Sequence, residues 1–336
     1  QAEIDRQRES CRVELRAELA EERTRFVTEC DGIRAELAQE QSRLAAERDE
    51  LATEKAEFDR KPAEWEEARN AAEAAGQTPP QRPNMPYGPE STNAPAAVWN
   101  GLVNPVVPVA MTGVIWYQGE SNAGRAEQYR SLMRGLIQGW RDAWNQGDFP
   151  FIQVQLTSFR APATQPSQPS PWAELRESQA LVCRDLPNVG MVCITDVGDA
   201  QDIHPRDKQT VGYRLAQVAL RDVYGQDVLA SGPVFSDVQF DGARAIVSFE
   251  TFGSALQVKG DALRGFLIAG EDQQWHFATA TLENGRVIVT QDGVPRPVAV
   301  RYNWADNPDG NLFNTAGWPA HPFATDTWPR STAGKR

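Results

Sequence analysis

Cysteine and histidine are scarce in this 336-residue chain, with four and three copies, and the scarcity removes several chemistries at once. Cys11, Cys30, Cys183 and Cys193 form no CxxC pair, so neither a zinc site nor a disulfide framework is signalled and isolated, buried thiols are expected. No metal or cofactor motif is present, and the expectation for both is none. Positive charge is also short: 46 acidic against 34 basic residues leave a net charge of −12. No basic stripe offsets that balance, which argues against nucleic acid or an anionic membrane as partner. No apolar run approaches the length of a membrane span. Nothing in the sequence indicates an oligomeric state.

What is present divides by composition into four stretches. Residues 1–76 are crowded with Glu, Arg and Ala and carry a seven-residue series, Cys30, Leu37, Leu44, Leu51, Phe58 and Trp65. One apolar position per heptad, with Ala38, Ala45 and Ala52 beside it, makes a narrow stripe. That stripe suits a long solvated helix or a thin helical hairpin better than a strong parallel coiled coil. Pro62 is expected to interrupt it, since proline inside a helix costs about 3 kcal/mol. Residues 77–98 form a proline-rich loop that includes Pro79, Pro80, Pro83, Pro86 and Pro89. Residues 99–228 read as an α/β domain and 229–330 as a β domain.

The α/β reading rests on hydrophobic period. Residues 114–118, 151–156 and 189–195 are short runs rich in β-branched and aromatic side chains, as buried parallel strands require. Between the first two, Tyr129, Leu132, Met133, Leu136, Ile137, Trp140 and Trp144 recur at three- and four-residue steps and define one apolar helix face. Leu175, Gln179 and Val182 mark a shorter helix. Val211, Leu215 and Val218 mark a third, starting after Pro205 and Asp207. Strand and helix in alternation predict right-handed crossovers and a doubly wound parallel sheet. Beyond residue 229, strand-like runs at 244–249, 264–269, 286–290 and 297–302 are separated by Asp241-Gly242, Asn284-Gly285 and Asp292-Gly293. They predict a small β-sandwich. Core and edge packing is the expected use of Trp304, Trp318 and Trp328, with stacking on carbohydrate as the other use of such rings.

Two polar turns leave the ends of predicted strands, where an open α/β sheet keeps its crevice. WYQGESN, residues 116–122, gathers Gln118, Glu120, Ser121 and Asn122 around Gly119. DVGDAQDIH, residues 196–204, ends on one of the three histidines. Helix capping would explain either turn alone; two such turns on one side of a sheet point to an active site. His204, fixed by Pro205 and close to Asp196, Asp199 and Asp202, fits a general base whose tautomer a carboxylate holds. His276 lies in the β segment and His321 in a proline-containing tail, and both fit less well. The first turn supplies amide, hydroxyl and backbone N–H groups at a helix start, as an oxyanion site requires. A base and an oxyanion site without a metal or cofactor motif indicate acyl transfer, most simply ester hydrolysis.

WYQGESN, the upstream WNGLVNPVVP, the downstream DIHPRDKQTVGYRLA and the terminal RYNWADNPDGNLFNTAGWPAHPF together resemble the sialate O-acetylesterase family of SGNH hydrolases. The resemblance spans residues 80–328, with the motifs in the family's order. It implies a three-layer α/β esterase, an O-acetylated sugar or glycan as substrate, no cofactor, and a periplasmic or extracellular location. It assigns His204 as the base. Asp202 is the nearest carboxylate to orient it, with Asp196 and Asp199 as alternatives. Gln118, Gly119 and Glu120 carry over as oxyanion-hole and substrate-pocket residues, and Asn122, Arg176 and Gln179 are expected to line the same pocket.

Two departures accompany the resemblance. Family members carry their nucleophilic serine in a GQSN-type motif near the start of the catalytic domain, and no GQSN occurs here. The expectation is an incomplete copy lacking the first strand, the serine and any signal peptide, so that the sheet exposes an apolar face and an unpaired edge. Low stability follows unless the N-terminal helix covers that edge. Many members also place Asp three residues before the histidine, where this chain has Gln201. Two other readings stay open. Residues 119–123, GESNA, approach the G-x-S-x-G elbow of α/β-hydrolases, which would make Ser121 the nucleophile with Asp202 or Asp196 and then His204 following in chain order. Alternatively the chain does no chemistry and is a glycan-binding or scaffold protein.

Overall fold

The computed structural model describes residues 61–75, 94 and 96–335, together with scattered residues between 3 and 56. Its two compact units are Gln1–Val106 and Val107–Arg336. In the first, every described residue between 3 and 56 is helical and exposed, Leu37 and Leu44 of the heptad series included. Cys30, Leu51 and Phe58 lie outside the described residues. Helix α1 (Lys61–Ala74) carries Pro62 in its first turn, where a missing N–H has no helical acceptor to lose. Here proline starts a helix; residues 57–60, where the predicted interruption would fall, are outside the described ones, as is the proline-rich stretch 76–93. The unit continues through a π-helical turn at Trp99–Val103 and a 3-10 turn at Asn104–Val106.

In the second unit, β1 (Val114–Trp116), β2 (Phe151–Val154) and β3 (Val189–Val192) form a parallel sheet in that order. Helices α2 (Ala126–Trp144) and α3 (Pro171–Asp185) make the crossovers, and α4 (Lys208–Asp222) follows β3. Successive strand residues face opposite sides, and β2 shows the division. Phe151 packs with Tyr129, Met133 and Ile137 of α2 and with Leu175 and Val182 of α3, whereas Ile152 and Val154 pack with Val211 and Val218 of α4. Helices therefore lie on both faces, and an uninterrupted apolar run is what such a strand needs. The helix starts are locally encoded. Ser170 caps α3 by accepting from the Ala173 N–H, with Pro171 in the first turn, and Asp207 caps α4 by accepting from the Thr210 N–H.

All three strands end earlier than their apolar runs suggest, β2 stopping at Val154, beyond which the Gln179 side chain takes the Leu156 N–H. β1 stops at Trp116 because the chain turns away toward Gly119. β3 stops at Val192, although Cys193, Ile194 and Thr195 stay buried. The Ile194 and Thr195 carbonyls accept from the Thr157 and Ser158 hydroxyls, at 3.0 and 2.5 Å, in place of a strand N–H. Among the described residues no strand lies on the outer edge of β1. Ile115, on the α4 side of the sheet opposite Ile152, is 68% exposed.

Ten antiparallel strands follow. β4 (Val234–Asp241), β5 (Arg244–Glu250), β9 (Thr279–Glu283) and β10 (Arg286–Thr290) form one sheet in the order β4-β5-β10-β9. β7 (Phe266–Ala269), β8 (Trp275–Phe277), β11 (Ala299–Tyr302) and β13 (Phe323–Ala324) form a second, in the order β13-β11-β7-β8. β6 (Leu256–Val258) pairs with β12 (Leu312–Asn314). Val247, Val287 and Val289 of the first sheet share a core with Phe266, Ile268, Val300 and Tyr302 of the second. Asn284 and Gly285 both take positive φ, 48° and 75°, as the two-residue turn between β9 and β10 requires. The β-rich part docks on α3: the Glu174 carboxylate accepts from the N–H and hydroxyl groups of Ser331 and Thr332, and Arg330 pairs with Glu177 at 2.7 Å. Trp304 and Trp318 are buried, and Trp328 packs on Trp275. The architecture is a mixed α/β one with a parallel sheet and separate antiparallel sheets.

Candidate active site

Beyond β1 the chain must turn within a crowded space, and Gly119 makes that possible. Its φ of 152° lies where side-chain-bearing residues rarely go, and a Cβ there would stand 2.9 Å from Leu175 Cδ2. The turn is then closed from within. The Asn122 N–H donates to the Gly119 carbonyl at 2.9 Å, the Gln118 amide donates to Asn122 Oδ1 at 2.8 Å, and the Tyr129 hydroxyl donates to the Gln118 carbonyl at 3.3 Å. Gln118, Glu120 and Asn122 are half-buried and Gly119 is buried. Among the described residues the Glu120 carboxylate has no ion pair or hydrogen bond. Ser121 is exposed in the 3-10 turn Glu120–Arg125, and its hydroxyl has no hydrogen-bond partner among the described residues.

The second turn is held by side chains on both flanks. Arg214 of α4, almost fully buried, pairs with both oxygens of Asp196 at 2.6 and 2.7 Å and donates to the Cys193 carbonyl at 2.8 Å. Gly198 passes so near the Ser158 backbone that a Cβ would meet its carbonyl oxygen at 2.1 Å, so only glycine fits. The Arg160 N–H donates to the Ala200 carbonyl at 3.1 Å. Asp199 accepts from the Gln201 N–H at 2.8 Å, and Asp202 accepts from the N–H of His204 itself at 2.9 Å. With Pro205 buried behind it, the His204 side chain projects outward and is 82% exposed. Its Nδ1 lies 3.6 Å from Asp202 Oδ1, beyond direct hydrogen-bond reach. Asp196 is held by Arg214, Asp199 and Asp202 each accept one backbone N–H, and of the three Asp202 is the carboxylate beside the ring.

The two turns are brought together at one end of the sheet. Ala123 and Ile203 pack in one apolar cluster, and Tyr117 and Val197 in another. The Lys208 ammonium sits 4.6 Å over the Tyr117 ring, which ties the start of α4 to the end of β1. Burial, followed by the negative charge of Glu120, pushes the Tyr117 hydroxyl up to about 12, and that hydroxyl has no hydrogen-bond partner among the described residues. Tyr117, Lys208, Arg214 and Gly198 were not singled out by the sequence reading. The aromatic after Trp116 and the Lys four residues past His204 were the available signals.

Arg176 and Gln179 lie beneath the turns, in the interior. Arg176 is fully buried and donates to the carbonyls of Leu156, Thr157, Ala305 and Asp306 at 2.7–2.9 Å; burial lowers its pKa to about 10. The Gln179 amide donates to the Val154 carbonyl at 3.1 Å and accepts from the Leu156 N–H at 2.9 Å, serving the outgoing end of β2 as a neighbouring strand would. Its Nε2 stands 3.6 Å from where a Gly119 Cβ would be. Among the described residues, no group of three or more His, Cys, Asp or Glu side chains could hold a metal ion, and no helix is long and apolar enough to cross a membrane. Cys183 and Cys193 are unpaired thiols, and burial pushes Cys183 up to about 12.

Comparison with known proteins shows what this chain is similar to. Residues 62–221 match the family model described as carbohydrate esterase, sialic acid-specific acetylesterase. Sialate O-acetylesterase of Rattus norvegicus is 30% identical over 284 residues, an alignment covering 76% of this chain and 52% of that protein. The Mus musculus counterpart is 29% identical over 260 residues, covering 68% and 47%. The chain thus spans about half the length of the curated relatives it matches. The crystal structure of a carbohydrate acetylesterase from Xanthomonas citri is similar with a TM-score of 0.67 and 44% identity, covering 71% of this chain and 56% of that one.

Proposed function

We propose that the protein, whose residues 62–221 match the family model of sialic acid-specific carbohydrate acetylesterases, hydrolyses O-acetyl esters of sialic acid or related sugars. The observation that carries the proposal is the approach of the QGESN and DIHP turns, with Lys208 over the Tyr117 ring and with Ala123 and Ile203 both at the apolar cluster around α2 and α3. In this reading a serine attacks the acetyl carbonyl, and His204 takes its proton and returns it to the leaving sugar hydroxyl. Asp202 orients the imidazole, its 3.6 Å separation shortening as catalytic hydrogen bonds do when substrate is bound. The Gln118 amide and backbone N–H groups of the turn stabilise the oxyanion. Glu120 and Asn122 shape the pocket beside Gly119, and Arg176 and Gln179 hold its floor. No cofactor takes part.

The fold that accompanies this chemistry is the doubly wound, three-layer SGNH type, with 99–228 as the esterase domain and 229–330 as a β-sandwich-like domain. Helices on both faces of the β1–β3 sheet support it. The edge of β1, on which no strand lies among the described residues, and the exposed Ile115 support pairing there with a further strand, which would carry the nucleophilic serine. Export to the periplasm or the cell exterior belongs to the same proposal, because that is where such glycans occur. The elbow alternative is less well supported: the positive φ falls on Gly119 and not on Ser121, and no hydrogen bond joins Ser121 to His204 among the described residues.

The test is acetate release from O-acetylated N-acetylneuraminic acid, run beside fluorophosphonate labelling and peptide mapping. Release that disappears in His204→Ala, with no label on Ser121, supports the proposal. A label on Ser121 would move the nucleophile into the turn. Folded protein that neither releases acetate nor takes label would mean that the base and the oxyanion turn stand ready while the serine lies outside residues 1–336.

A further inference from the structure

We propose that a second pocket, which shares the segment after β2 with the His204 turn, binds a neutral sugar residue of the acetylated glycan; the proposal rests on the esterase reading above. The pocket is a cavity of about 420 Å³, within the usual range for small-molecule sites. Pro162 and Pro166 form one wall, Phe277 and Trp304 contribute aromatic surface, and Arg264 and Asp309 stand at the mouth.

Three features select the ligand class. Phe277, at the end of edge strand β8, leaves 51% of its surface exposed, offering an apolar ring to the C–H face of a pyranose. Arg264 Nε pairs with Asp309 Oδ2 at 3.1 Å, so the mouth carries both signs and no excess charge, and a phosphate or an isolated carboxylate gains little there. The Arg264 terminal nitrogens and Asp309 Oδ1 form no hydrogen bond among the described residues. A donor and an acceptor side by side above an apolar wall suit adjacent hydroxyls on a flat ring.

Arg160 connects this pocket to the candidate active site. Its N–H donates to Ala200 in the His204 turn, while its carbonyl accepts from the Asn307 amide in the pocket wall at 2.6 Å. Its guanidinium pairs with Asp306 at 2.9 Å. The pocket and the His204 turn are thus tied to one loop, and the acetylated residue alone does not need the pocket.

The experiment is a saturation-transfer NMR titration of the full chain with methyl β-lactoside, a neutral disaccharide that carries no ester. Transfer to the lactoside is expected, with affinity about tenfold lower in Phe277→Ala, also reduced in Asp309→Ala, and unchanged in His204→Ala. Both altered pocket residues are exposed, so the variants keep the fold, which circular dichroism checks. No transfer to the lactoside, transfer that survives both pocket substitutions, or transfer abolished by His204→Ala would each overturn the proposal. Acetate release from O-acetylated N-acetylneuraminic acid, a single sugar, reads the esterase activity separately: release that depends on His204, with no Phe277-dependent lactoside binding, sinks the sugar pocket and leaves the esterase reading standing.

Discussion

Adding one methyl group at Gly119 tests the geometry on which the oxyanion turn depends. The φ of 152° and ψ of −17° are sparsely populated for side-chain-bearing residues and cost about 1–3 kcal/mol. The new Cβ would stand 2.9 Å from Leu175 Cδ2 and 3.4 Å from Leu156 Cδ2, where carbon atoms prefer about 3.5–4.0 Å. Both leucines are fully buried, so relief requires repacking, at about 1–3 kcal/mol. Gly119→Ala should therefore destabilise the protein by about 4 kcal/mol, lowering Tm by about 8–16 °C for a unit of this size. A double-mutant cycle separates the two terms. Leu175→Ala alone should cost about 2–5 kcal/mol, but it removes the clash, so the double variant should be more stable than the sum by about 1–3 kcal/mol. Urea unfolding followed by tryptophan fluorescence measures all four proteins. A single-variant loss under about 1 kcal/mol, or strict additivity in the cycle, would refute this account of the turn.

Three further expectations follow from the buried groups. Arg214→Met strands Asp196 and leaves the Cys193 carbonyl without its donor; a broken buried pair costs about 3–5 kcal/mol, and the partial exposure of Asp196 puts the value near the lower end. Replacing Asp196 by Leu in the same protein should recover at least about 1 kcal/mol in urea unfolding, and failure to recover would mean that the charge pair is not the cause. Arg176→Met takes a donor from four carbonyls; Thr157 keeps the Trp172 indole and Asp306 the Phe159 N–H, so those of Leu156 and Ala305 are left unsatisfied, at about 1–3 kcal/mol each, and Tm should fall clearly; an unchanged Tm would contradict it. His321 is driven down to about 4 by burial and then by the Arg214 charge. A depressed folded pKa means that stability is full above about pH 6.5 and is lost as pH falls toward 4, by about 2–3 kcal/mol. Tm measured against pH should show that slope in the native protein and a weaker one in His321→Gln.

Legibility in the sequence tracks how local each cause is. The Asp207 cap, the Asn284-Gly285 turn and the apolar face of α2 depend on neighbours within a few residues, and the sequence pattern places them where the structure does, except that Leu132 of the expected face is 51% exposed. Strands buried on both faces read as uninterrupted apolar runs, which is why β2 was visible. Four of the β-rich strand positions were read, but strands as short as Leu256–Val258 or Leu312–Asn314 offer too few residues for a period of two to register. The early ends of β1 and β3 were hidden for a different reason. There side-chain hydroxyls and a glycine turn, not a change in hydrophobicity, terminate the ladder.

The same division runs through the candidate site. The QGESN and DIHP turns were readable because polar residues massed at strand ends are unusual. Which of those residues face outward is a matter of distant carbonyls. In LRESQ, Arg176 and Gln179 are chemically suited to a substrate pocket, yet Arg176 is drawn inward by acceptors as far along the chain as Ala305 and Asp306, and Gln179 by the outgoing end of β2. Three aspartates lie in the eight residues before His204, and sequence distance cannot rank them. Arg214 removes Asp196, one backbone N–H occupies Asp199, and the turn that begins at Asp202 lifts His204 into solvent. An exposed imidazole beside one weakly engaged carboxylate is the arrangement that an incoming hydroxyl could complete, and it arises because the other acceptors and donors of the turn are already satisfied.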